Sequence, residues 1–198
     1  HLITHDDVRA VSFVGSTPVA KHIYSTASSA GKRVQCMAGA KNTMIIMPDA
    51  NQDAAIDGVI GSSMGNTGQR CLAGSVAVLV GDAGDWFVPK IVEAAKQIQV
   101  AAGDATDCSM GPLIDDASVA RVTSAIEGGV ASGADLLLDG RESETPECGC
   151  FIGPTIFDNV PHDSALATEE IFGPVLSILR VETLDEAIDV TKRSRYGN

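Results

Sequence analysis

Short apolar runs alternate with amphipathic stretches from one end of the chain to the other. Residues 11–14 (VSFV) read as a strand closed by Gly15, Ser16 and Thr17. Pro18 then suits the first turn of a helix, where a missing N–H costs nothing and the fixed φ is already helical. That helix should run to about Ser29 and stop at Gly31. Arg33–Met37 is a second strand, and residues 43–47 (TMIIM) are a third, ending at Pro48-Asp49. Asp53 is the expected N-cap of a helix whose apolar positions are Ala54, Ile56, Val59, Ile60 and Met64. Gly58, Gly61 and Gly65 fall along it, and each costs up to ~1 kcal/mol of helix propensity. Their presence implies close backbone packing or a nearby ligand.

After this helix comes the loop Asn66-Thr67-Gly68-Gln69-Arg70-Cys71, followed by a strand over 75–80. Residues 86–98 form an amphipathic helix. A further helix, capped by Asp115 or Asp116, places Val119, Val122 and Ile126 on one face. Residues 134–138 read as a strand and 139–150 as a polar surface connection. Residues 151–157 and 174–181 are strands, and 184–195 are a final helix. Repeated strand–helix units predict an α/β fold, a largely parallel sheet covered by helices. In such folds ligands gather at the carboxyl ends of strands, which singles out the Gly15–Thr17 turn and the loop ending at Cys71.

Composition narrows the partners. With 26 acidic against 14 basic residues the net charge is −12, which argues against nucleic acid or an anionic membrane. Aromatic residues are only 4%, too few for a base-stacking surface. The longest apolar runs are strand-sized, far short of the ~18 residues of a membrane span. The opening HLITHDDVRA lacks the basic-then-apolar pattern of a secretory leader, so a cytoplasmic location is expected. Five cysteines, an odd number, do not suggest a disulfide framework, and Cys148 and Cys150 stand as C-x-C with no histidine near them. No metal site is expected.

Three segments carry candidate chemistry. Cys71 follows Arg70 in a loop flanked by Gly68 and Gly74. A neighbouring cation favours the thiolate, and glycines let backbone N–H groups approach a substrate oxygen. The competing reading is a small buried hydrophobe. Gly15-Ser16-Thr17, between a strand and a helix, is either a plain N-cap or an anion site made of free N–H groups and a hydroxyl. The dinucleotide fingerprint G-x-G-x-x-G is absent. In Glu169-Glu170-Ile171-Phe172-Gly173-Pro174-Val175, a carboxylate could accept ribose hydroxyls and the ring could bank a heterocycle. Otherwise the segment is a solvated acidic loop with a core phenylalanine.

Taken together, VSFVGST, GAKN, GQRC, MGPLI, FIGPTIFDNV and EEIFGPV occur in an order and spacing that resembles the NAD-dependent aldehyde dehydrogenase superfamily, over essentially the whole chain. The resemblance implies an aldehyde dehydrogenase-like catalytic α/β domain over 41–198, truncated at its C-terminus, and the tail of a Rossmann-like coenzyme domain over 1–40. It implies Cys71 as nucleophile, Gly15 and Ser16 at the coenzyme pyrophosphate, Glu170 at the nicotinamide ribose and Phe172 against the nicotinamide. The upstream lysine, the Pro-Trp-Asn segment and the amide of the oxyanion hole are expected before residue 1. Asn198 falls where the family's Tyr-Gly-Leu or Tyr-Gly-Asn segment begins, so the oligomerising strand of a dimer or tetramer is expected beyond it.

One departure bears on chemistry. Most members read E-L-G-G-K, the glutamate serving as general base for thioester hydrolysis. Here the segment is Met37-Ala38-Gly39-Ala40-Lys41, which puts Met37 in the glutamate's place. A thioether cannot accept a proton, so water is not activated by this route. GAKN, MPDAN and GQRC also resemble the branch of methylmalonate-semialdehyde dehydrogenases (CoA-acylating), which lack that glutamate and pass the acyl group to coenzyme A. In that branch Arg70 resembles the arginine that holds the substrate carboxylate, a task suited to a guanidinium. Ala20 and Gly74 depart from the pattern, which more often has Gly and Ser there. The expectation is oxidation of malonate or methylmalonate semialdehyde with NAD, then transfer to CoA with loss of carbon dioxide. The alternatives are a hydrolytic enzyme of another branch or an inactive fragment.

Overall fold

Two parallel strands, β1 (Ala10–Val14) and β2 (Arg33–Met37), open the chain, with Val14 opposite Met37. Parallel neighbours need a crossover, and α1 (Thr17–Ser29) supplies it, burying Ala20 and Ala27. In the computed structural model, which describes residues 1–197, these elements form one compact unit, His1–Ala40. A second unit starts at Lys41. Asn198, at the Tyr-Gly segment, lies outside the described residues.

The second unit is built on a five-stranded sheet in the order β3-β4-β7-β6-β5. Its strands are β3 (Asn42–Ile46), β4 (Gly74–Val80), β5 (Asp135–Leu138), β6 (Thr155–Asp158) and β7 (Val175–Val181). All pairings are parallel except β5 with β6 at one edge. The helices are α2 (Gln52–Ser63), α3 (Ala83–Lys96), α4 (Asp116–Ala131), the single turn α5 (Ala165–Thr168) and α6 (Leu184–Lys192). Strand β4 shows why its sequence is apolar throughout. Val76, Val78 and Val80 pack on one face with Val122, Ile126 and Leu166, while Ala77 and Leu79 pack on the other with Ile56, Phe87 and Ile91. A central parallel strand covered on both faces has no solvent side to keep polar.

Several boundaries differ from expectation for identifiable reasons. Asn51, not Asp53, caps α2: its Oδ1 accepts from the Ala54 N–H at 3.1 Å, and Asp53 falls in the first turn. Asp115 caps α4 by accepting from Ser118 N–H at 2.8 Å. The strand expected over 151–157 is confined to Thr155–Asp158. Pro154 has no N–H to give a ladder, and the Gly153 N–H donates instead to Gly140 O at 2.9 Å. Of the three glycines around α2, Gly58 and Gly61 face open space, and only Gly65 is closely approached, by Arg70. Among the described residues, no helix is long and apolar enough to cross a membrane.

Candidate active site

The loop that leads to Cys71 begins with a backbone that few residues tolerate. After α2, Asn66 (φ 52), Thr67 (φ 56) and Gly68 (φ 68) are left-handed in succession. A β-branched residue there is strained, by about 1–3 kcal/mol. Thr67 is held in place by burial and by its hydroxyl, which donates to Gly111 O at 2.9 Å. Gln69 then clamps the MGPLI segment. Its Oε1 accepts from Ile114 N–H at 3.0 Å, and its Nε2 donates to Pro112 O at 3.3 Å. On the far side of the loop, Asn42 Nδ2 donates to the carbonyls of Cys71 and Ala73, each at 2.9 Å. Cys71 is therefore fixed from both flanks by side chains of GAKN and GQRC.

Within that frame Cys71 is an exposed free thiol. The buried-hydrophobe reading fails. Cys148 is also exposed, whereas the Cys150 thiol donates to Asp116 Oδ1 at 3.2 Å and is pushed up by that carboxylate. Arg70 takes an unexpected direction: its Nη2 donates back to Gly61 O and Ser62 O at the end of α2. A methyl at Gly65 would collide with this guanidinium. Gly74, where Ser is more usual, has its N–H bonded to Ser62 Oγ at 2.9 Å, and a Cβ there would lie 3.0 Å from that same oxygen.

The EEIFGPV segment meets the loop that carries Cys71 through two glycines. A Cβ on Gly68 would run into the carbonyl of Gly173, so the two backbones are in direct contact. Arg121 on α4 braces the turn, its Nε donating to Ile171 O at 3.1 Å. Phe172 is left-handed at φ 57 and 38% exposed, so its ring is not part of the core. Glu169 is exposed and ion-paired to Arg195, while Glu170 is half-buried. The structure thus brings Cys71, Arg70, Glu170 and Phe172 onto adjoining loops of one unit. Gly15 and Ser16 belong to the other. There the Gly15 N–H donates to Met37 O at 3.2 Å, and Ser16 occupies the N-cap of α1 with a hydroxyl that makes no cap bond. Met37, which ends β2, is 55% exposed. No cluster of metal-ligating side chains occurs among the described residues.

Residues that sequence reasoning missed are those that hold rather than react: Asn42, Gln69, Thr67 and Arg121. GAKN and GQRC contain the first two, but a donor's partner is not written in its own neighbourhood.

The aldehyde dehydrogenase family model matches residues 1–198. This chain belongs to the aldehyde dehydrogenase family. It is 48% identical to malonate-semialdehyde dehydrogenase 1 of Oceanobacillus iheyensis over 99% of its length, and 45% identical to malonate-semialdehyde dehydrogenase of Halalkalibacterium halodurans over all of it. Those alignments cover 40% and 41% of the two relatives, so the chain spans about two fifths of their length. Among solved structures it matches methylmalonate-semialdehyde dehydrogenase from Oceanimonas doudoroffii, with TM-score 0.96 and 44% identity over all of this chain and 41% of that one. The NAD complex of an aldehyde dehydrogenase from Bacillus cereus follows at TM-score 0.93 and 34% identity, covering 98% of this chain and 39% of that one.

Proposed function

We propose that this chain carries the catalytic thiol of an NAD-dependent, CoA-acylating dehydrogenase of malonate or methylmalonate semialdehyde. The observation that carries the reading is an exposed Cys71, fixed on both flanks, in a chain with Met37 at the position that the family resemblance assigns to a hydrolytic glutamate. Its similarity to malonate- and methylmalonate-semialdehyde dehydrogenases supports the substrate class. Residues 1–40 are read as the end of the coenzyme domain and 41–198 as catalytic domain.

The Cys71 thiolate attacks the aldehyde carbon, its sulfur forming the new bond while the carbonyl oxygen becomes an alkoxide. The Cys71 N–H, which no other described group engages, is available to that oxyanion. A bound NAD would supply the hydride acceptor that conversion of this adduct to a thioester requires. The residues present suit that coenzyme. Within 41–198, Glu170 fits ribose hydroxyls and the exposed Phe172 ring fits a nicotinamide face. Taken by itself, the 1–40 unit offers at the N-terminus of α1 a Ser16 hydroxyl without a cap bond, which fits a phosphate. Arg70 has its Nε and Nη1 uncommitted by the folded chain and can take the substrate carboxylate. At the thioester stage the bond between that carboxylate and the α-carbon breaks to release carbon dioxide, and the electron pair left on the α-carbon takes a proton, which the later ionisation of the CoA thiol makes good. The CoA thiol then attacks the thioester carbonyl, forming acyl-CoA and returning the Cys71 thiolate.

Two measurements on the whole protein test this. Cys71→Ala should abolish NADH formation, and wild-type turnover in that variant would refute the mechanism. Turnover should also depend on CoA. Free acid released at full rate without CoA would instead place the protein among the hydrolytic enzymes.

A further inference from the structure

The residue before β3 is a lysine in an unusual place. Lys41 is 3% exposed, and its Nζ has no hydrogen-bond partner. Lysine is almost never fully buried unless paired, because removing an ammonium from water is costly. Burial lowers Lys41 from an ordinary 10.5 to about 8, so at neutral pH it is still an ammonium. Glu170 and Glu169 oppose that fall, but neither carboxylate bonds to the Nζ.

Two adjoining cavities lead to this group. Lys41 lines a narrow one of about 30 Å³, together with Thr43 and Thr168. A larger one, of about 160 Å³, lies between the end of β7 and α6. His162, Val190 and Arg193 line both, so the two meet at these residues. The other charged groups around the larger cavity have partners. Glu186 accepts from the Glu182 N–H at 2.9 Å, and Asp189 pairs with Lys192 at 3.5 Å. Arg180 is engaged by Asp158 through bonds of 3.1 and 2.7 Å. The Arg193 guanidinium, by contrast, has no such partner among the described residues. None of Cys71, Arg70, Glu170 and Phe172 lines either cavity.

Lysine and arginine offer donors and no acceptor, so the complement of Lys41 and Arg193 has to accept from both. Both line the narrow cavity, which puts them within reach of one ligand. A water there would leave the buried ammonium without a counter-charge. We propose that the joined cavities form a binding site for a small oxyanion such as phosphate, received by the Lys41 ammonium and by the Arg193 guanidinium where the two cavities meet. The site does not depend on the function proposed above.

The test is isothermal titration calorimetry of the whole protein with inorganic phosphate, at constant ionic strength and without coenzyme. The wild type should bind phosphate saturably. Lys41→Met, similar in length but uncharged, and Arg193→Gln should each weaken that binding about 10-fold or more, because hydrogen bonds to charged groups are the strong ones. Phosphate should also raise the melting temperature of the wild type, and raise those of the variants far less at the same concentration. No saturable binding, or equal affinity in all three proteins, overturns the proposal. If Lys41→Met does not fold, Arg193→Gln decides, since Arg193 is exposed. Coenzyme A carries phosphates too. It should not displace the inorganic ion, because no Phe, Tyr or Trp lines either cavity to hold its adenine. Displacement would overturn the assignment to a free anion.

Discussion

Asn42, the first residue of β3, is tied through its side-chain nitrogen to the carbonyl of Cys71 at 2.9 Å, and a second bond from the same nitrogen reaches Ala73. The loop that presents the thiol is thereby anchored to the sheet, the most rigid part of the unit. Removing the donor should let the sulfur drift from its attack position, and a misplacement of about 1 Å costs about 100-fold in rate. Asn42→Ala is expected to lower kcat by about 10- to 100-fold and stability by about 1–2 kcal/mol. Asn42→Asp, similar in size but without the donor, should be impaired at least as much. Stopped-flow NADH formation with urea unfolding checks this; a wild-type rate in both variants would show that the anchor is irrelevant to catalysis.

The backbone contact between the two site loops depends on Gly68. At φ 68 an L side chain is strained, and here its Cβ would also strike Gly173 O. Gly68→Ala should therefore destabilise the protein by at least about 2 kcal/mol. Gly58→Ala makes the opposite case within α2, where an added methyl meets nothing. It should stabilise by about 0.5–1 kcal/mol through helix propensity. Thermal melts of both variants should move in opposite directions, and a shared direction would contradict the geometry.

Met37 ends β2 with more than half of its side chain in solvent. On the reading proposed above, a carboxylate at this position would supply the base that activates water. Met37→Glu should let the acyl-enzyme hydrolyse, so that NADH formation continues without CoA. A positioned base contributes typically 10²–10⁴-fold, so even partial placement should be visible. The readout is NADH formed per enzyme in CoA-free buffer. A variant that stops after one turnover, as the wild type should, would show that more than the base is lacking.

How far the sequence carried the reading differs from element to element. The all-apolar run of β4 and the helical spacing of α4 were legible because burial on both faces, or on one stripe, leaves a periodic trace. The glycines around Cys71 marked a loop open to close approach, but left undecided whether its thiol was exposed or buried. Other features left no such trace. Thr67 in a left-handed conformation contradicts its own local preference and is imposed by Gly111, 44 residues away. Arg70 turns toward the carbonyls ending α2, a direction set by where the helix stops. The turn α5 is four residues long, too short for any period to appear. Local pattern writes elements, and long-range partners write the site.

Lys41 carries a stability cost whose sign can be checked by pH. Its proton is held with a pKa of about 8 in the folded chain and 10.5 when unfolded, so between these values the unfolded state binds more protons. Stability from this group therefore rises as pH climbs from about 8 to 10.5 and is lowest below 8, where the ammonium is buried. The span corresponds to about 3 kcal/mol. Lys41→Met should be more stable than wild type at pH 7 by up to that amount, with the advantage fading toward pH 10. Urea unfolding of both proteins at pH 7, 8.5 and 10 measures the difference directly. A difference that does not change with pH would mean that Lys41 is not buried as a charge.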